Sequence, residues 1–367
     1  MEITNYFNIV KQNEVTEYFA STDISQSKLK TLLLSPQLFK KETKNDLYFE
    51  EKEHFIIGAA VDFLFTFDGD MDFFTENYYI SHIEDKPTDV VKSIIHSVFD
   101  KINEVLQPSE SFKYFNEYKG LILEACNEHE YYKNWKDDTR VNKILENSND
   151  FYFQELVLSK NKIILSKEDV KTILSIYVSI TKNEYTNKYF DKEVYGIINQ
   201  LPIYFGIDGV KCKALLDRVC IDHINKTIQI IDFKTTGDYT LNFHKQLKKF
   251  RYDIQAAYYT TAMMKNIKNS DLVNYKILPF IFIVESTLQQ GFPIIYTISE
   301  SLLDTGKNGQ NQAVVSTFDR TAFVSHEVLG YKQLFDLHKY YEENGYDMPK
   351  IIKENNHNLT LDWFGIE

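Results

Sequence analysis

Two aspartates and a lysine carry the strongest chemical signal in this 367-residue chain. Asp232 and Lys234 stand two apart in the apolar run IQIIDFK, so on a strand they share one face. The earlier run Lys211–Cys220 carries Asp217, and a tight polar connection around Asn225 folds it onto Thr227–Lys234 as an antiparallel hairpin. With the turn centred near Ile224 and Asn225, Asp217 lies opposite Asp232; a shift of one residue sets it opposite Lys234. Either register gathers two carboxylates and one ammonium. Like charges facing one another across a strand pair repel by roughly a few tenths of a kcal/mol or more, so the pair calls for a cation. Carboxylate oxygens without His or Cys beside them select Mg²⁺ or Mn²⁺ over zinc. Such an ion activates a water and neutralises phosphate oxygens, with Lys234 positioning or helping to deprotonate that water. The matching chemistry is phosphodiester hydrolysis.

An ordinary salt bridge near a strand end competes with this reading, because D-x-K is common. The helical segment after the strand favours the chemical reading. Gln255 and Tyr259 lie one helical turn apart on one face, preceded by Lys245, Lys248, Lys249 and Arg251. With Lys211 and Lys213, that basic run is expected to meet DNA phosphates.

The elements that must hold these residues are legible in outline. In Thr22–Lys41, Asp23 or Ser25 can cap a helix that Ser35-Pro36 interrupts, so two short helices are expected. In HFIIGAAVDFLFTF, Gly58, Ala59 and Ala60 permit close helix packing. Asp62 sits inside that apolar run as either a functional acid or a solvated one at the helix edge, since an unpaired buried carboxylate is costly. Residues 88–190 read as helical and carry no recognisable chemistry. A strand meander spans 193–236, then a helix over Asn242–Lys265. Strands come next at Leu278–Glu285 and Phe292–Ile298, joined through Gln289-Gln290-Gly291, and a last helix over Glu327–Asn344 stops at Gly345.

Composition sets the bounds. Hydrophobic residues make up 43% of the chain, and 13 Gly and 7 Pro against 25 Tyr and 27 Phe point to long regular elements around an aromatic interior. Cys126, Cys212 and Cys220 form no disulfide set or metal-spaced pair, as expected in a reducing compartment. The first residues lack the basic and apolar segments of a signal peptide, and ILPFIFIV at 277–284 is too short to span a bilayer, so a soluble cytoplasmic protein is expected. The formal charge of −12 argues against a polyanion partner, but ten Lys or Arg against six Asp between Phe205 and Lys265 leave that part locally basic.

Taken in order, these motifs resemble the PD-(D/E)XK nuclease superfamily, specifically its RecE-type (exodeoxyribonuclease VIII-like) branch common in phages and prophages. The matching residues are Ser25, Ser27, Leu29, Ser35 and Pro36; Gly58 with Asp62; and Lys213 with Asp217. Asp232, Lys234, Thr235 and Thr236 are next, then Tyr252, Gln255 and Tyr259. The resemblance spans about residues 22–65 and 190–345 and is weak or absent over 85–190. It implies an α/β fold, a mixed central β-sheet flanked by helices in a restriction-endonuclease-like core. The N-terminal helical part of that core would occupy 1–84, a helical insertion 85–190 and the hairpin-bearing part 191–367. Asp217, Asp232, Lys234, Gln255 and Tyr259 would form the catalytic group. The implied metal ligands are Asp217 and Asp232, Asp62 where the family usually has His, and Glu193 at an acidic position upstream. The implied activity is 5′-to-3′ degradation of one strand of duplex DNA from its end, feeding single-strand annealing recombination. Duplex ends, a single-strand annealing protein and a homo-oligomeric ring around DNA would be the partners, with no membrane.

Two rival readings remain. A catalytically silent nuclease-fold protein could bind DNA or a recombination partner; retention of both acids and Lys234 speaks against it, the Asp62 departure for it. A restriction-type endonuclease or a RecB-like helicase partner could share the fold, but helicase motifs and a cysteine cluster are absent.

Overall fold

Alternating β-branched and aromatic residues from Gly196 onward build the sheet that organises this molecule. The computed structural model describes residues 12–43, 53–83, 87–107, 111–146, 149–315, 323–354, 361–362 and 365–366. Four helices come first: α1 (Gln12–Ala20), α2 (Gln26–Lys30), α3 (Pro36–Thr43) and α4 (Glu53–Thr66). Next are α5 (Met71–Asn77), β1 (Tyr78–Ile80), α6 (Asp89–Val105), α7 (Lys119–Glu128), α8 (Asp137–Leu145), α9 (Asn149–Leu158), β2 (Ile163–Leu165) and α10 (Lys167–Lys182). The sheet region holds β3 (Gly196–Ile207), β4 (Val210–Asp222), β5 (Thr227–Thr236), α11 (Phe243–Lys249), α12 (Tyr252–Ile267), β6 (Lys276–Ile277), β7 (Ile281–Ser286) and β8 (Ile294–Thr297). Then come α13 (Glu300–Asn308), β9 (Gln310–Val315), β10 (Phe323–Val328), α14 (Tyr331–Asn344), α15 (Lys350–Glu354), β11 (Leu361–Asp362) and β12 (Gly365–Ile366).

The contacts divide the chain into two units, one of Met1–Thr66 with Ile173–Glu367 and one of Phe67–Thr172. Sequence placed the divisions at 84/85 and 190/191. The second unit has its own core of Ile94, Ile95, Val98, Ile122, Ile144 and Phe153, and a short parallel pair of β1 with β2 beside its helices. Helical pattern alone gave no hint of that pair.

The first unit contains the mixed six-stranded sheet in the order β3-β4-β5-β7-β8, with β6 beside the start of β5. β3, β4 and β5 are antiparallel, β5 and β7 parallel, β7 and β8 antiparallel. The α/β class with a mixed, helix-flanked sheet is therefore the observed one.

The β4–β5 ladder fixes the hairpin register. It runs from Asp222↔Thr227 to Arg218↔Ile231, so the turn is centred between Ile224 and Asn225. The Asp222 carboxylate holds that turn by accepting the N–H groups of Ile224 and Asn225 at 2.9 and 2.8 Å. One further pair would set Asp217 opposite Asp232, the first of the two expected registers. There the strands part: β5 continues beside β7, while β4 continues beside β3. The edge of β4 that β5 leaves is taken by the segment ahead of α2. Ile24 N–H donates to the Lys211 carbonyl and accepts from Lys213 N–H at its own carbonyl, both at 3.0 Å.

Helices cover both faces of β5. Gly58 of α4 lies so near Thr235 that a β-carbon there would sit 3.1 Å from its hydroxyl oxygen, and Phe65 stacks on Phe233 at 4.2 Å. Close packing of α4 is thus realised at Gly58 and at the buried Ala60, while Ala59 is exposed. Thr235 and Phe233 share the face opposite Asp232 and Lys234, and α12 covers that other face.

Several expected boundaries move. Ser25 is the cap of α2, accepting Lys28 N–H at 3.2 Å, and Ser35-Pro36 opens α3. The single helix expected over Asn242–Lys265 is two, because Arg251 takes a left-handed conformation, φ 51°, between α11 and α12. The last helix begins at Tyr331 and not at Glu327, since Phe323–Val328 pairs with β9; it ends at Gly345 as expected. Among the described residues no helix is long and apolar enough to cross a membrane.

Candidate active site

The parting of β4 from β5 is where the chemistry collects. Asp232 is 1% exposed, and its Oδ1 accepts from the Gln255 side-chain amide of α12. Its Oδ2 forms an ion pair with Lys234. Asp217, freed from the ladder, turns its Oδ2 onto the Phe233 backbone N–H at 3.3 Å. Tyr259, one turn along α12 from Gln255, is buried and feels the charges of Asp217 and Asp232. Asp217, Asp232, Lys234, Gln255 and Tyr259 are therefore brought together.

Three acids crowd one ammonium. Burial pushes the Asp217 carboxyl well above the usual carboxylate range, and the charges of Asp232 and Asp62 add to that; Lys234 and the Phe233 N–H pull the other way. Asp62 is raised to about 7, chiefly by burial, with Lys234 opposing and Asp232 reinforcing the rise. Burial alone would lower Lys234, but Asp232, Asp217 and Tyr252 overcome it and hold the ammonium above its usual value. Asp62 acts through this field from α4, whose Gly58 and Phe65 pack on the Thr235 and Phe233 face of β5.

The donor set fits a hard divalent cation at Asp217 and Asp232. Asp232 Oδ2 is a buried carboxylate oxygen that faces the Lys234 ammonium. Its second lone pair is left for a metal. Among the described residues no three His, Cys, Asp or Glu side chains converge on one point, so Asp62 is not gathered with the other two as a third ligand. The remaining positions of such an ion would fall to water and phosphate, as is common for Mg²⁺. Glu193 is exposed in the turn ahead of β3, its N–H taken by Asp191, and it contributes to none of these shifts.

The expected basic residues separate into two groups. Lys211, Lys245, Lys248 and Lys249 are exposed. Lys213 is buried, donating its ammonium to the Tyr18 and Ser21 carbonyls at 2.6 and 2.7 Å and lying over the Tyr18 ring. It ties the N-terminal segment to β4 and cannot contact DNA from there. Arg251 is likewise committed, bidentate to Asp253 at 3.0 and 2.8 Å and bonded to the Leu329 carbonyl at 2.7 Å. The left-handed backbone turns this side chain inward, which helical spacing could not show.

One residue was missed. Lys30, the last residue of α2, donates to the Phe250 carbonyl at 2.9 Å and lies 5.8 Å from the centroid of the Tyr252 ring, whose other cation is Lys234 at 5.1 Å. Its value is lowered to about 8 by burial and then by the Lys234 charge. No local pattern marks it, since its neighbours at the site come from far along the chain. A cleft of about 660 Å³ beside the C-terminal half of α12 is lined by Met264, Ile267, Tyr275, Ile298 and Leu303 and includes none of the acids.

No family model matches the chain, and no curated protein matches it. Among solved structures, the chain is similar to a protein described as "Putative exonuclease" from Eubacterium rectale. The two are 15% identical, with 80% of each chain covered and a TM-score of 0.43.

Proposed function

We propose that this protein is a metal-dependent DNA nuclease of the PD-(D/E)XK kind, with Asp217 and Asp232 holding Mg²⁺ or Mn²⁺ and Lys234 beside the reacting phosphate. The observation that carries this reading is the parted hairpin, which leaves Asp217 off the ladder beside the buried Asp232 carboxylate and its Lys234 partner. A divalent cation bound there would supply a nucleophilic water near neutral pH and neutralise charge on the phosphate. The protein's own groups have narrower tasks. Gln255 fixes the orientation of Asp232 through Oδ1. With its proton affinity raised, Lys234 stays an ammonium and serves as an orienting donor more readily than as a base. Tyr259, held neutral by burial, offers a phenol on the same side as the two acids.

The finer reading is a 5′-to-3′ exonuclease acting on duplex ends in recombination, alongside a single-strand annealing protein and as a ring around DNA. Support for it comes from the ordered motifs. Incubating the protein with end-labelled linear and covalently closed duplexes, with Mg²⁺, Mn²⁺ or EDTA, tests both levels. Loss of linear DNA from labelled 5′ ends, only with the metals, is expected; attack on closed circles would replace the exonuclease with an endonuclease. Lys234→Ala should lower cleavage by about 10²-fold or more while binding in Ca²⁺ changes little. Binding without any cleavage in wild type would favour the catalytically silent alternative.

A further inference from the structure

We propose that Lys30 is a phosphate-binding residue of this site, holding the DNA phosphate next to the one that Lys234 and the acids act upon. The inference rests on the nuclease reading and extends it to a second subsite. Lys30 reaches the site because Ile24 occupies the edge of β4 that β5 abandons, which sets α2 beside the α11–α12 junction. Once there, it has no ion pair among the described residues. Among the described residues its ammonium has one hydrogen bond, to the Phe250 carbonyl, and the Tyr252 ring beside it. The nearby carboxylates reach Lys30 only through their fields, since Asp232 is ion-paired with Lys234 and Asp253 with Arg251.

Two ammonium groups thus share the Tyr252 ring, separated by no more than their two distances from its centroid taken together. Burial and the Lys234 and Arg251 charges outweigh the opposing fields of Asp232 and Asp253 at Lys30, so an anion seated there would be stabilised. With one N–H on Phe250, Lys30 retains two donors for phosphate oxygens, the compact point-charge mode of phosphate contact. Its surroundings lead outward. Phe250 is 44% exposed, Lys249 lies over its ring at 5.3 Å, and Lys248 is exposed beside it. A nucleic-acid backbone entering over α11 would meet Lys30 before Lys234.

The test is a phosphate-by-phosphate binding cycle. Duplexes carrying a single neutral methylphosphonate near the end, and duplexes with a 5′-phosphate or a 5′-hydroxyl, are titrated in Ca²⁺ against wild type, Lys30→Gln, Lys30→Arg and Lys245→Gln. Lys30→Gln should weaken binding about tenfold and flatten the salt slope by roughly 0.9, with Lys30→Arg largely restored. One neutral position, internal or terminal, should cost wild type affinity and cost Lys30→Gln almost nothing; its location tells a backbone phosphate from an end phosphate. If every neutral position costs Lys30→Gln as much as wild type, Lys30 is structural and the inference falls while the nuclease reading stands. Failure of wild type to bind any duplex sinks both. Lys30→Met keeps the stem over Tyr252 and replaces Lys30→Gln if the latter does not fold.

Discussion

Three carboxyls share one ammonium where β4 leaves β5, and the strain shows in Asp62 and Asp217, both driven towards the neutral form. For Asp62 the folded value is about 7 against an ordinary 3.8. The folded protein therefore keeps a proton that the unfolded chain releases between those values. That stabilisation is complete below the lower value and is lost as pH rises through the upper one. In EDTA, thermal midpoints should fall between about pH 4 and about pH 8, and Asp62→Asn should make the decline shallower by removing one of its two sources. An identical decline in the variant would place Asp62 outside the shared field. At this scale the juxtaposition of Asp217, Asp232 and Lys234 was legible in the sequence, because strand alternation and a tight turn are local properties. The sequence misled at Lys213, whose ammonium is buried on backbone carbonyls, and was silent at Lys30, whose hydrogen-bond partner lies 220 residues away.

Arg251 shows what element-level reading misses. Periodicity over 242–265 joins α11 and α12 into one helix, and only the left-handed backbone at 251 separates them. Its guanidinium, 17% exposed, braces the start of α12 through Asp253 and Leu329. Arg251→Gln is expected to cost about 1.5–3 kcal/mol, the range for hydrogen bonds to charged groups, read as a lower denaturant midpoint. The salt dependence of DNA binding should stay as in wild type. A flatter salt slope with unchanged stability would return Arg251 to the DNA path. The helices α2, α4 and α14 were foreseeable from capping residues, small-residue runs and a terminal Gly. The pairing of β10 with β9 was not, since a partner strand leaves no mark on the periodicity of its own segment.

For the molecule as a whole, the formal charge of −12 sets the background against which any polyanion must bind. The exposed lysines of α11 are the local exception, and they stand beside the site and not at random on the surface. Replacing Lys245, Lys248 and Lys249 together by Gln should lower the magnitude of the log-affinity against log-salt slope by roughly 0.7 to 0.9 per charge, with stability and the metal requirement unchanged. A slope within error of wild type would take α11 out of the DNA path. Fold class was within reach of sequence because strand and helix patterns are strong in 193–298. The boundaries of the two units were not, because they depend on which helices share a core, and the apolar stripes of 88–190 name no partner.

The edge of β4 that Ile24 occupies also sets an order of events in time. The hairpin of β4 and β5 closes a short loop, so it can form early in refolding. β7 must wait for the α11–α12 crossover, and Ile24 must return across about half of the chain, with Ser21 and Lys213 separated by 192 residues. Asp217 and Asp232 would then face one another, unscreened by α2 or α12, during an interval when the folding chain is held back by its own site. Pulsed hydrogen exchange should show the amides of Cys220 and Gln229, which face one another across the hairpin, protected before those of Lys213 and Ile283, and divalent cations should shorten the delay. Simultaneous protection of all four would mean that the site and its scaffold are born together.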